Sequence, residues 1–203
     1  MLDRDGIEPV ERARRGRLLL ALARQALELR WSSGGARPRR VPPPADPSRG
    51  HEPWLSVAGA SFVSLHLQGE LRGCIGTVEP YRPLVDDVCS NAVRAAFEDR
   101  RFAPLARHEL EVVTIEVSVL GTLEALRATT LEAAAPELRP GLDGILLTLD
   151  GERATLLPQV WEDLPDPADF VLALARKAGF AQLANLPTQG IRLHRYRVDS
   201  WRE

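Results

Sequence analysis

The chain has 203 residues, 44% hydrophobic and 27% charged, with a net charge of −2 and a pI near 6.1, so it buries enough apolar surface in one large domain or two small ones to need no covalent staple. That balance excludes a protein that holds nucleic acid or a membrane surface mainly by charge, which would carry a strong basic excess. Two cysteines without a CxxC pair exclude a disulfide framework, a zinc knuckle and an iron-sulfur cluster held by this chain alone.

From Val10 to Trp31, Leu18, Leu19, Leu22, Ala26 and Leu29 recur at helical spacing among Arg12, Arg14, Arg15 and Arg24, which predicts an amphipathic helix within residues 1–31. The apolar run from Leu18 to Ala23 is broken by Arg24 and preceded by Asp3, Asp5 and Glu8. It reads neither as a signal peptide nor as a membrane span, and a cytoplasmic protein is expected. Residues 32–50 hold Gly, Ser, Pro and Arg without periodicity and are expected as an extended surface loop. Arg37, Arg39 and Arg40 within it read as a solvated charge run, with phosphate contact the weaker alternative.

Ala60 to Leu67 and Leu71 to Thr77 alternate about Gln68-Gly69-Glu70, which predicts a β-hairpin with a three-residue loop. That loop pairs Leu67 with Leu71, Leu65 with Gly73 and Val63 with Ile75, and leaves Ser64, His66, Arg72 and Cys74 on the opposite face. Pairing Leu67 with Glu70 would instead mix core with charge. Pro83 opens a helix striped by Leu84, Val88, Ala92 and Ala95 and ending near Asp99. Glu111 to Leu120 is the strongest strand, with Val113, Ile115, Val117 and Val119 on one face and Thr114, Glu116 and Ser118 on the other. A short helix is expected around Thr130 to Ala135. A second hairpin joins Gly144 to Leu149 with Arg153 to Leu157 through Asp150-Gly151-Glu152. Pro167 starts a helix to Ala178 with Gly179 as its C-cap, and Ile191 to Trp201 reads as one last strand. Hairpins dominate over βαβ crossovers, so the predicted class is α+β with largely antiparallel sheets and packed helices.

The segment Leu71-Arg72-Gly73-Cys74-Ile75-Gly76-Thr77 is unusual for a strand. Arg72, Cys74 and Gly76 share a face without a bulky apolar side chain, so a ligand or another backbone approaches there. A guanidinium beside the thiol favours the thiolate, the state of a nucleophilic cysteine. Alternatively Cys74 is a small buried hydrophobe and Arg72 pairs with a carboxylate such as Glu116. Glu116 points away from its apolar face and is either a general base or a solvated polar residue. His66 reads as a solvent-facing hairpin residue, and Asn91, Asp99 and Arg101 as helix-end and loop braces. His51, His108 and His194 lack metal-ligand spacing, so neither a metal nor a cofactor is expected. Lys177 is the only lysine amid abundant arginine, which excludes a Walker-type loop and reads as a GC-rich bacterial genome.

The blocks FVSLHLQGELRGCIGT, NAVRAAFEDRRF, IEVSVL, GLDGILL, LLPQVW and KAGF, in this order from about Ala60 to Phe180, resemble the AMMECR-one family. The family's block positions fall on Leu71 to Thr77, Asn91, Asp99, Arg101, Phe102, Glu116, Ser118 and Leu157 to Val160. His66 lies outside the pattern, and the tryptophan expected after KAGF is missing between Leu183 and Leu186. The resemblance implies that residues 51–203 form two α+β subdomains with a cleft near the LRGCIGT strand. It also implies a setting beside Memo-like and radical-SAM proteins, with this chain as the A component. Cys74 and Glu116 are then the candidate catalytic residues, and Arg72, Gly73, Gly76, Thr77, Asn91 and Arg101 the candidate ligand-binding residues for a small anion. The expected function is an enzyme or enzyme subunit, with a non-catalytic protein-binding module using the same cleft as the alternative.

Overall fold

A computed structural model describes residues 8–32, 52–186 and 190–203. The predicted loop at 32–50 therefore lies outside the described residues apart from Ser32, which ends the first helix. In chain order the elements are α1 (Pro9–Ser32), α2 (Pro53–Ser56), β1 (Ala58–Gly59), β2 (Ser61–Leu67), β3 (Glu70–Gly76), β4 (Arg82–Pro83), α3 (Leu84–Phe97), α4 (Arg107–Leu110) and β5 (Thr114–Leu120). They continue with β6 (Glu124–Ala125), α5 (Leu131–Ala134), β7 (Gly144–Leu149), β8 (Glu152–Leu156), α6 (Pro167–Lys177), β9 (Arg192–Tyr196) and β10 (Val198–Arg202). The fold is α+β and divides into two compact units, one of residues 1–119 and 200–203, the other of residues 120–199.

In the first unit a sheet of order β10-β5-β2-β3 carries Val63, Leu65, Ile115 and Val117, all fully buried, on one face. The alternation predicted for these strands is the cause: one face is apolar throughout and must be covered. Helix α3 covers it with Val88, Ala92 and Ala95. Helix α1 packs on α3 through Leu18, Leu22 and Leu27, each burial contributing about 1.5–3 kcal/mol. Gly16 is where α1 receives the Trp201 indole of β10, since a Cβ there would stand 2.1 Å from Trp201 Cδ1. Arg24 straps the same helix to the entry of β5 by donating to the carbonyls of Leu110 and Val113, each at 2.7 Å.

The hairpin register differs from the expectation at its tip. Leu67 pairs with Glu70 and His66 with Leu71, while Leu65 pairs with Gly73 and Val63 with Ile75, with a register shift between Leu65 and His66. The turn is the two-residue Gln68-Gly69, with φ of 54° and 91°, the left-handed pair whose twist suits a hairpin. The two-residue turn would put core residues opposite charge, and a β-bulge resolves the conflict: Arg72 is the extra residue that restores the predicted pairing from Gly73 onward.

The second unit is a sheet of order β6-β9-β7-β8 around Ile145, Leu147, Phe170, Val171, Leu174 and Leu193. Its hairpin also turns on two residues, Asp150-Gly151, with Glu152 already paired to Leu149. The predicted strand from Ile191 to Trp201 is two strands, β9 in this sheet and β10 in the first, broken at Arg197, whose carbonyl accepts from the Gly121 N–H at 2.9 Å.

Candidate functional site

Arg72, placed by the bulge, does not point an open guanidinium outward. Its Nε and Nη2 bond both carboxylate oxygens of Glu109 at 2.9 Å, and its Nη1 donates to the Ala103 carbonyl at 2.8 Å. The bond to Arg72 holds the Glu109 carboxyl below its usual range. The carboxylate partner of Arg72 is thus Glu109 on α4, 37 residues along the chain, rather than Glu116.

Strand β3 is an edge of its sheet, and an edge leaves backbone groups unpaired. At Cys74 those groups are taken by side chains: its N–H donates to Asp99 Oδ2 at 2.9 Å and its carbonyl accepts from Arg101 Nη2 at 3.4 Å. Arg101 also forks onto Asp99 through Nε and Nη2, at 3.0 and 2.7 Å. That bond, reinforced by the Cys74 and Arg101 backbone N–H groups, holds the Asp99 carboxyl at about 2 against burial. The guanidinium bonded at Cys74 is therefore that of Arg101, whose side chain is 59% exposed beside the buried Asp99.

Outward backbone groups at Cys74 make its pairing with Ser64 the close, non-hydrogen-bonded kind. The Ser64 hydroxyl accordingly lies 3.3 Å from Cys74 Sγ. Across β2, Ser64 faces Glu116 of β5, so thiol, hydroxyl and carboxylate form one row on the sheet face opposite α3. His66 is half-buried, with a side chain only 15% exposed, where a solvent-facing residue was expected. Its Nε2 comes within 3.3 Å of Glu116 Oε2 at an angle that makes no hydrogen bond, and protonation would make the pair ionic.

The remaining candidates are tied into the fold. Thr77 and Asn91 converge on Asp87, a fully buried carboxylate that sequence reading missed because it looks like an ordinary first-turn acid. Asp87 accepts from Thr77 Oγ1 at 2.8 Å, Asn91 Nδ2 at 3.0 Å, Arg82 Nε at 2.8 Å and the Ser61 hydroxyl at 2.7 Å. Gly76 makes room for the Phe62 ring and Gly73 for the backbone of α3. The structure thus brings Cys74 and Glu116 to one sheet face, holds Arg101 at the sheet's edge against the Cys74 carbonyl, and commits Arg72, Gly73, Gly76, Thr77 and Asn91 to the fold's construction. Cys89 is buried in α3, and desolvation pushes its thiol up to about 12.

The fold and site define an α+β protein of two units whose thiol stands on an edge strand clamped from the loop after α3. The AMMECR1 family model matches residues 20–201, and the chain belongs to that family. A protein of Aeropyrum pernix is 38% identical over 193 residues, covering 93% of this chain and 78% of its own length. One of Methanothermobacter thermautotrophicus is 36% identical over 81% of this chain and 82% of its own length. The crystal structure of the uncharacterized protein PH0010 from Pyrococcus horikoshii superposes with a TM-score of 0.80 at 28% identity, over 93% of this chain and 91% of that one. These relatives are archaeal, which gives no support to the bacterial source read from arginine usage.

Proposed function

We propose that the chain is a thiol-dependent enzyme or the thiol-bearing subunit of one, with Cys74 as nucleophile and Glu116 as the proton-carrying group. The approach of Ser64 Oγ to Cys74 Sγ, in the same row as Glu116, carries this reading. A hydroxyl donating to sulfur stabilises the thiolate, and Glu116, one strand beyond Ser64, lies within cross-strand reach of that hydroxyl, through which it would exchange a proton with the thiol. Arg101 is the cation for an anionic part of the substrate, since Asp99 fixes it while its side chain stays largely exposed. The site works in the cytoplasm beside Memo-like and radical-SAM proteins, a setting that rests on the family resemblance. Among the described residues no helix is long and apolar enough to cross a membrane.

The inward commitment of Arg72, Thr77 and Asn91 favours a second reading, a non-catalytic module that docks a protein partner through the same face. Treating the folded chain with an activated ester and following acyl transfer by intact mass separates the two. The enzyme reading expects acylation at Cys74 followed by release, slowed by Glu116→Gln. Absence of acylation, or an acyl group released no faster in wild type than in Glu116→Gln, favours the docking module.

A further inference from the structure

The polar row on the sheet face opposite α3 continues past Glu116. His66 follows Ser64 by two residues on β2, so both point to that face. The strand pairs set Ser64 beside Glu116 and His66 beside Thr114. Glu116 therefore stands diagonally across from His66, a spacing that long side chains bridge, and the Nε2 and Oε2 atoms lie 3.3 Å apart. On the other side His66 pairs with Leu71 of β3, and the neighbouring charge there, the bulged Arg72, is bound to Glu109. The Nε2 atom is buried and has no hydrogen-bond partner among the described residues, a condition folded proteins seldom leave without a use.

A carboxylate alone is a poor end point for a proton leaving a thiol. Free side chains titrate at about 8.5 for a thiol, about 4.3 for a glutamate carboxyl and about 6.5 for an imidazole, so delivery to an imidazole is roughly a hundredfold less unfavourable. A settled ion pair would already direct an N–H at Glu116. Here the contact is close without the bond, so a proton reaching Nε2 creates an interaction that the resting row lacks. Building on the thiol reading above, we propose that His66 is a positioning residue that takes up the Cys74 proton by way of Ser64 and Glu116. The Sγ proton passes to Ser64 Oγ as the hydroxyl proton passes to the Glu116 carboxylate, which yields a proton to His66 Nε2. Thiol and imidazole become thiolate and imidazolium. Ser64 and Glu116 end as they began, the hydroxyl donating to sulfur and the carboxylate accepting from the imidazolium.

The test is alkylation of Cys74 by iodoacetamide in the folded full chain at a series of pH values. His66→Gln should slow the reaction near neutral pH about tenfold, and the gap should close toward about pH 10, where hydroxide ionises a thiol without help. A merely structural role would not produce that closure. Added to Glu116→Gln, the same change should slow the reaction no further, because His66 acts only through that carboxylate. A measurement on the unsubstituted chain guards against a variant that fails to fold: with histidine labelled by nitrogen-15, blocking Cys74 should shift the titration of the His66 imidazole and leave those of His108 and His194 in place. An unchanged rate in His66→Gln, a gap that persists at high pH, or a His66 titration indifferent to the blocked thiol would overturn the proposal. The thiol reading survives those results if Ser64→Ala and Glu116→Gln still slow Cys74, whereas both fall if Cys74 of the wild type does not react.

Discussion

Gly73 lies directly beneath the carbonyl of Ala95: a Cβ on Gly73 would stand 2.2 Å from that oxygen. Helix α3 therefore rests on the backbone of β3 one residue before Cys74, and the height of the thiol strand in the sheet is set by a contact only glycine allows. Gly73→Ala should push helix and strand apart and cost about 1–3 kcal/mol, as overpacking does. Urea unfolding checks this, and an unchanged midpoint would mean that the helix has slack the contact does not show.

Arg72 and Glu109 should behave as a structural pair. Arg72→Ala leaves a partly buried carboxylate without its fork and should lower stability by about 1.5–3 kcal/mol, the range for bonds to charged groups. A double-mutant cycle with Glu109→Ala should recover a coupling of at least about 0.5 kcal/mol, as for residues in one ion-pair network. Strict additivity would show that the two act separately. The same variant should leave the reactivity of folded Cys74 largely unchanged, because the guanidinium at Cys74 is that of Arg101.

Removing Asp87 should be costlier than a surface acid, because four side-chain donors lose their acceptor in a fully buried site. Asp87→Ala should destabilise by about 3 kcal/mol or more. A melting temperature within a degree or two of wild type would contradict the network's role.

The Asp99 clamp predicts a pH dependence. Its carboxyl is depressed from 3.8 to about 2 by the bond from Arg101, so its ionised form is favoured by folding. That contribution is complete above the unfolded value near 3.8 and is lost as pH falls through about 2. The stability gap between wild type and Asp99→Asn should therefore be full at neutral pH and shrink between pH 4 and pH 2. Chemical denaturation at both ends measures it, and a gap independent of pH would argue against the ion pair.

Much of this was legible in the sequence where one rule acts alone. Alternation gave the faces of β2 and β5, Pro83 and Pro167 marked the two helix starts, and the small residues of LRGCIGT marked the strand that carries the thiol. The bulge at Arg72 was not legible, because a clean apolar register and a two-residue Gln68-Gly69 turn compete, and the chain satisfies both by inserting a residue. Nor were the partners of the charged residues. Glu109 reaches Arg72, and Asp99 reaches the Cys74 backbone, across sequence separations of 37 and 25 that no periodicity records. Asp87 was hidden by its resemblance to a helix-start acid.

The central claim, that Cys74 is a functional thiol tuned by its row, is tested most directly by site-resolved alkylation of the folded chain with iodoacetamide near neutral pH. Cys74 should be modified at least about tenfold faster than Cys89, whose thiolate is suppressed by burial. Ser64→Ala should slow the reaction at Cys74 by removing the hydroxyl 3.3 Å from its sulfur. If Cys74 reacts as slowly as Cys89, or if Ser64→Ala leaves its rate unchanged, the thiol is a packing residue and the enzyme reading is contradicted.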